Sequence, residues 1–148
     1  MNFKTHILFA FLIVLYTKDY FHGGIGFVIL VVIGSLLPDL DETKSYLGQR
    51  VFLIPWLSKL LFGHRGVYHS ILFGLGIGYL VNLVVGYVSG VALFIGYVSH
   101  LIMDGLTKEG VALFWPLKWK MKGFVKTGSF LENVIFGIVF ILILAKII

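Results

Sequence analysis

The chain contains no cysteine. That excludes a disulfide framework, a thiolate zinc site and a thiol nucleophile. Proline is scarce, with three in 148 residues, and only 13% of residues are charged. A soluble globular domain carries roughly 25% charged residues. Disorder is excluded too, because hydrophobic residues make up 59% of the chain and a disordered segment is poor in them. A chain of this length could not bury so much apolar surface in water. The mean hydropathy of +0.99 points the same way. The composition is that of a single membrane-embedded domain, residues 1–148, and its few polar residues stand out.

Long charge-free runs are present. Tyr20 to Pro38 has no Asp, Glu, Lys or Arg, and neither has Gly66 to Met103, a run of 38 residues. A helix needs about 20 residues to cross the hydrocarbon core, so the longer run holds two spans. Their turn is expected between Gly86 and Gly90. Thr5 to Thr17 and Glu132 to Ile148 are further apolar stretches. The reading is an all-α integral membrane helical bundle of about five transmembrane helices, near 3–17, 23–38, 67–87, 90–106 and 129–148. A further helix near 49–62, with Lys59 inside it and Pro55 breaking it, is expected to be interfacial or re-entrant. No small-residue cleavage site follows the first apolar run, which therefore reads as a retained helix rather than a signal peptide.

Basic residues set the orientation. Ten Lys and Arg fall in the N-terminus, 39–66 and 107–128, against two, Lys18 and Lys146, on the other side. The N-terminus is expected in the cytoplasm of a multi-pass inner-membrane protein. The formal net charge of +5 then follows from topology and anionic lipid, and is no sign of nucleic-acid binding. Trp115 and Trp119, beside Lys118, Lys120 and Lys122, look like an interfacial anchor.

The ionisable residues converge on that same face. They are His6 at the start of the first helix, Asp39 and Asp41 after the second, and His64 and His69 around the start of the third. His100 and Asp104 end the fourth, and Glu132 starts the fifth. His100 and Asp104 are four apart and share a helix face, so both can reach one ion. A His–Asp hydrogen bond bracing the bundle is the other reading of that pair. Asp39 and Asp41 at a helix C-terminus oppose the helix dipole and call for a cation. His64 and His69 are five apart and do not share a face, so His64 belongs to the preceding loop and His69 to the first turn. His6 alone reads as an interfacial histidine and Glu132 alone as ordinary capping, but intramembrane ionisable residues are costly and usually functional. Imidazole and carboxylate without thiolate suit a divalent metal, Zn²⁺ first and Mn²⁺ or Fe²⁺ next. The ligand count allows one ion or two. Arg65 beside such a site calls for an anionic substrate. There is no HExxH, GxSxG, Walker A or GxGxxG pattern.

Thr5-His6, Gly34-Ser35-Leu36-Leu37-Pro38-Asp39-Leu40-Asp41, His64-Arg65-Gly66 through His69-Ser70, Gly96-Tyr97-Val98-Ser99-His100 through Asp104, Gly110, Trp115-Pro116, and Thr127-Gly128-Ser129 with Glu132 together resemble the membrane-bound metal-dependent hydrolases. Some of these are LexA-regulated inner-membrane proteins, and the family is distantly similar to zinc-dependent phospholipase C and P1-type nucleases. The resemblance implies metal ligation by His6, Asp39, His64, His69, His100 and Asp104, and hydrolysis of a phosphoester. In that reading Arg65, with Lys118 and Lys120, holds the phosphate of a lipid or other amphipathic substrate. Asp41 completes the shell, orients a ligand or acts as general base, and Glu132 is a further catalytic candidate. The alternative is a carrier or sensor that binds the metal without hydrolysis. A transport path needs polar residues across the whole bilayer, and few lie deeper than this face.

Overall fold

The computed structural model describes residues 1–41, 67–117 and 119–148. Among these residues the fold is helical. Its helices are α1 (Phe3–Thr17), α2 (Ile25–Leu36), α3 (Ile71–Val85), α4 (Tyr87–Gly105) and α5 (Phe130–Ile147). Two 3₁₀ turns, Leu37–Asp41 and Val67–His69, follow α2 and precede α3. Among the described residues, isolated bridges, Thr107 with Val125 and Val111 with Met121, are what pairs extended backbone. The expected helix near 49–62 lies outside the described residues.

The helix ends follow local chemistry. α1 stops at Thr17, and the chain reverses through Lys18–Gly23, where the Gly23 N–H donates to the Lys18 carbonyl at 2.6 Å. After α2 the backbone tightens into the 3₁₀ turn at Pro38, whose ring in α geometry would clash with the carbonyl four residues back. The third helix was expected from residue 67 but begins at Ile71. Ser70 caps it, its hydroxyl accepting from the Phe73 N–H at 3.2 Å. The turn expected across Gly86–Gly90 is a single residue. Gly86 alone, at φ +117°, breaks the run in a conformation that favours glycine, and α4 begins at Tyr87 rather than 90.

α4 is the central helix. It packs along α2 on one side and α3 on another, and also touches α1. α2 and α4 meet backbone to backbone. A Cβ at Gly34 would stand 2.1 Å from the Leu93 carbonyl oxygen, and one at Gly96 would stand 1.9 Å from that of Val31. Tyr97, Leu101 and Val111 form a buried cluster beside this seam, and Ala10, Val14, Phe27, Val31 and Ala92 another.

The outer helices turn apolar side chains outward. α5 exposes Phe130, Ile138 and Ile141, and α3 exposes Leu72, Leu80 and Val84. Such continuous apolar surface suits lipid rather than water. By length and composition two helices, α4 and α5, qualify to cross a membrane; α1, α2 and α3 are shorter apolar helices. Successive helices present alternate ends to one pole of the molecule, where the starts of α1, α3 and α5 meet the ends of α2 and α4.

Candidate metal centre

Four elements deliver one polar cluster to that pole. His6 comes from the second turn of α1, Asp39 from the 3₁₀ turn after α2, and His69 from the 3₁₀ turn before α3. His100 and Asp104 come from the last turns of α4. His6, His69, His100 and Asp104 are each at most 1% exposed. The glycine seam explains the convergence. Gly34 precedes Ser35, and Gly96 lies one helical turn before His100, so backbone contact between α2 and α4 sets the His100 ring against the end of α2. Tyr97, also on α4, donates its hydroxyl to the Tyr68 carbonyl at 2.5 Å. That bond holds the turn that carries His69.

The spacing of the donor atoms is informative. His6 Nε2 lies 3.3 Å from Asp104 Oδ1. His100 Nε2 lies 3.5 Å from Asp104 Oδ2 and 3.7 Å from Asp39 Oδ1. His69 Nε2 lies 3.7 Å from Asp104 Oδ2. These separations are long for N–H···O hydrogen bonds, which centre near 2.9–3.0 Å. Metal–ligand bonds of about 2.0–2.2 Å place tetrahedral donors ~3.4 Å apart, and the observed distances fall around that value. Two overlapping triads result, His6–His100–Asp104 and Asp39–His69–His100, with donor atoms in each within 4.8 Å of one another. His6 and His100 stack face to face, their centroids 3.9 Å apart and their planes 9° from parallel.

The tautomer of His100 sharpens the case. Its Nδ1 lies 2.8 Å from the Ser35 carbonyl oxygen. A carbonyl only accepts, so Nδ1 carries the proton, and Nε2 is the nitrogen turned toward the two carboxylates. That nitrogen has no hydrogen-bond partner, and neither ring nitrogen of His6 has one. Buried imidazole nitrogens that face carboxylate oxygens at 3.3–3.7 Å without a hydrogen bond have the spacing of ligands about a shared cation. A carbonyl-anchored histidine is also how metal-ligating imidazoles are commonly oriented. The donor set therefore fits a divalent cation. The Met1 α-ammonium also donates to Asp104 Oδ1 at 2.5 Å in a buried ion pair.

Of the residues singled out from sequence, the fold thus unites His6, Asp39, His69, His100 and Asp104. His64, Arg65, Lys118 and the Asp41 side chain lie outside the described residues. Lys120 is exposed on the loop after α4, and among the described residues no hydrogen bond or ion pair joins it to the cluster. Trp119 is exposed on that loop and stacks with Phe114.

Glu132 departs from its expected catalytic place. It is buried at the same pole, but its carboxylate is taken up elsewhere. Oε1 accepts from the Asn2 N–H at 2.5 Å and the Thr5 hydroxyl at 3.0 Å. Oε2 accepts from the Asn2 side-chain amide at 3.2 Å and the Gly128 N–H at 2.6 Å. Residue-by-residue reading missed the Ser35 carbonyl, because any residue supplies one. The glycines at 34 and 96 were the available signal for it, since they permit the close approach.

The family described as YdjM inner membrane protein matches residues 1–147. Inner membrane protein YdjM of Escherichia coli (strain K12) is 33% identical over 144 residues, covering 82% of this chain and 69% of that protein. The protein of the same name from Shigella flexneri matches equally. Protein YvsG of Bacillus subtilis (strain 168) is 30% identical over 141 residues, covering 91% of this chain and 87% of the relative. No solved structure matches.

Proposed function

We propose that this chain, which belongs to the YdjM inner membrane protein family, is a membrane-bound metal-dependent hydrolase acting at the cytoplasmic interface. Its proposed substrate is a phosphoester in a lipid or another amphipathic molecule. In this reading all five helices cross the bilayer. The helix ends that alternate at one pole and the ten-to-two bias of basic residues support that arrangement.

One observation carries the proposal. Nε2 of His100 faces Asp39 and Asp104 without a hydrogen bond, in a buried site that also holds His6 and His69. A divalent cation shared by these donors accounts for that arrangement. His6, His100 and Asp104, with Asp39 and His69, would hold it. When bound, a divalent ion supplies Lewis acidity and a water acidic enough to ionise near neutral pH. The residues of the chain do the rest. The Ser35 carbonyl fixes the His100 ring, and burial of Asp104 under the helix ends keeps bulk water from its carboxylate. Arg65, which the sequence sets between His64 and His69, binds the phosphate through its forked donors.

The test is hydrolysis by the purified protein, screened over phosphodiesters and lipid phosphates. Activity should appear in the Zn²⁺-, Mn²⁺- or Fe²⁺-loaded protein, vanish on chelation and be absent from His100→Ala. A loaded wild-type protein that turns over none of these substrates contradicts the hydrolase reading and leaves a metal carrier or sensor.

A further inference from the structure

Glu132 and His6 stand on different helices, yet the structure ties one to the other. The Ser129-Phe130-Leu131-Glu132 spacing is that of a capping box, in which the acid serves its own helix. Here the Ser129 side chain makes no cap bond. Glu132 instead bonds the Gly128 N–H and sends its three other hydrogen bonds to α1, at Asn2 and Thr5. Thr5 is the residue before His6. Asn2 is the N-cap of α1 and makes no side-chain cap bond within it. The carboxylate therefore lies between the positive ends of two helices, α1 and α5, where an anion is favoured.

His6 needs such an anchor more than its neighbours do. His100 is oriented by the Ser35 carbonyl. Neither ring nitrogen of His6 has a hydrogen-bond partner. Its position is set by the placement of α1 and by its stack on His100. Glu132 fastens the first turn of α1 to the start of α5, as the Met1 α-ammonium ties the chain before it to Asp104 on α4.

We infer that Glu132 is a positioning residue of the metal centre, holding His6 in place by clamping Asn2 and Thr5, and not a catalytic acid. The inference rests on the metal-centre reading above. It also predicts that glutamine is a poor replacement. All four partners are donors, and the Asn2 and Gly128 backbone N–H groups cannot be reversed. An amide –NH₂ at either oxygen position would face one of them.

The experiment titrates Co²⁺ into the full chain in detergent, reading affinity and the visible absorption band. The proteins are wild type, Glu132→Gln, Thr5→Val, His6→Ala and the His6→Ala/Glu132→Gln double variant. Circular dichroism and monodispersity check folding. Glu132→Gln should weaken Co²⁺ binding about tenfold, the lower end of what loss of an outer-sphere support costs. Its band should change as in His6→Ala, and the double variant should bind no more weakly than His6→Ala alone. Thr5→Val should shift both readouts the same way, by less. Wild-type affinity and band in folded Glu132→Gln, or a loss that adds fully to that of His6→Ala, overturns the inference while leaving the metal centre standing. If Glu132→Gln does not fold, Thr5→Val decides: a His6-dependent loss supports the clamp, and wild-type behaviour overturns it. A wild-type chain that takes up neither Co²⁺ nor Zn²⁺ overturns the metal centre and the inference together.

Discussion

His100 does two jobs with one ring. Its Nδ1–H is committed to the Ser35 carbonyl, which leaves Nε2 to the carboxylates. The spacing of His100 and Asp104 on one helical face was legible in the sequence, because i and i+4 always meet on a helix. What lay outside that rule was the second half of the arrangement. No spacing pattern reveals a bond from His100 to a carbonyl 65 residues away. Glu132 shows the same limit from the other side. An acid in a first helical turn reads as capping, and only the fold shows that its partners are on α1. Arg65 provides the residue-scale prediction. Arg65→Ala should keep the metal yet lose about 2–4 kcal/mol of transition-state stabilisation, the range for removing one preorganised donor to developing charge. Arg65→Lys should be only partly active, because lysine lacks the planar fork. His69→Ala should lose metal and activity together. Metal content and kcat/KM measured on the same preparations separate these outcomes, and full activity in both Arg65 variants removes the phosphate-binding role.

At the scale of elements, the site depends on how closely α2 and α4 approach. Apolar runs and their interruptions located the helices. The bounds of α1 coincide with those read from sequence, and α5 differs by one residue at each end. The turn after α3 was harder to place because two glycines, 86 and 90, offered the same signal. Gly86 takes the turn at φ +117°. Gly90 instead lies within α4, where a Cβ would stand 2.5 Å from the Gly78 carbonyl oxygen. The start of α3 shifted for a related reason, since Ser70 is an N-cap and His69 precedes it in a 3₁₀ turn. Gly96 tests the seam directly. A methyl group there meets the Val31 backbone, which cannot rotate aside as a side chain can. Gly96→Ala should destabilise the protein by about 1–3 kcal/mol, the usual cost of overpacking. By moving Ser35 away from His100 it should also weaken metal binding. Thermal unfolding and metal titration in the same detergent check both. A Gly96→Ala protein with unchanged stability and metal affinity would mean that the backbone contact does not set the site.

For the whole molecule, the arrangement is one of polarity. Four of the five histidines sit on the face that holds ten of the twelve basic residues in the sequence reading, and three of those histidines meet in the described cluster. If the N-terminus and residues 107–128 are cytoplasmic, a single cysteine replacing Lys122 should resist an impermeant thiol reagent in intact cells, and one replacing Lys18 should react. The absence of native cysteine makes the background clean, and the reverse pattern of labelling would invert the topology. The central claim, that a divalent cation joins His6, His100 and Asp104 with Asp39 and His69, is tested most directly by counting metal ions per chain. Protein purified without chelator should carry at least one divalent ion per chain, zinc first, and His100→Ala or Asp104→Ala should lose most of it. Folded wild-type protein that holds no stoichiometric metal, and takes up none when Zn²⁺, Mn²⁺ or Fe²⁺ is offered, would contradict the account.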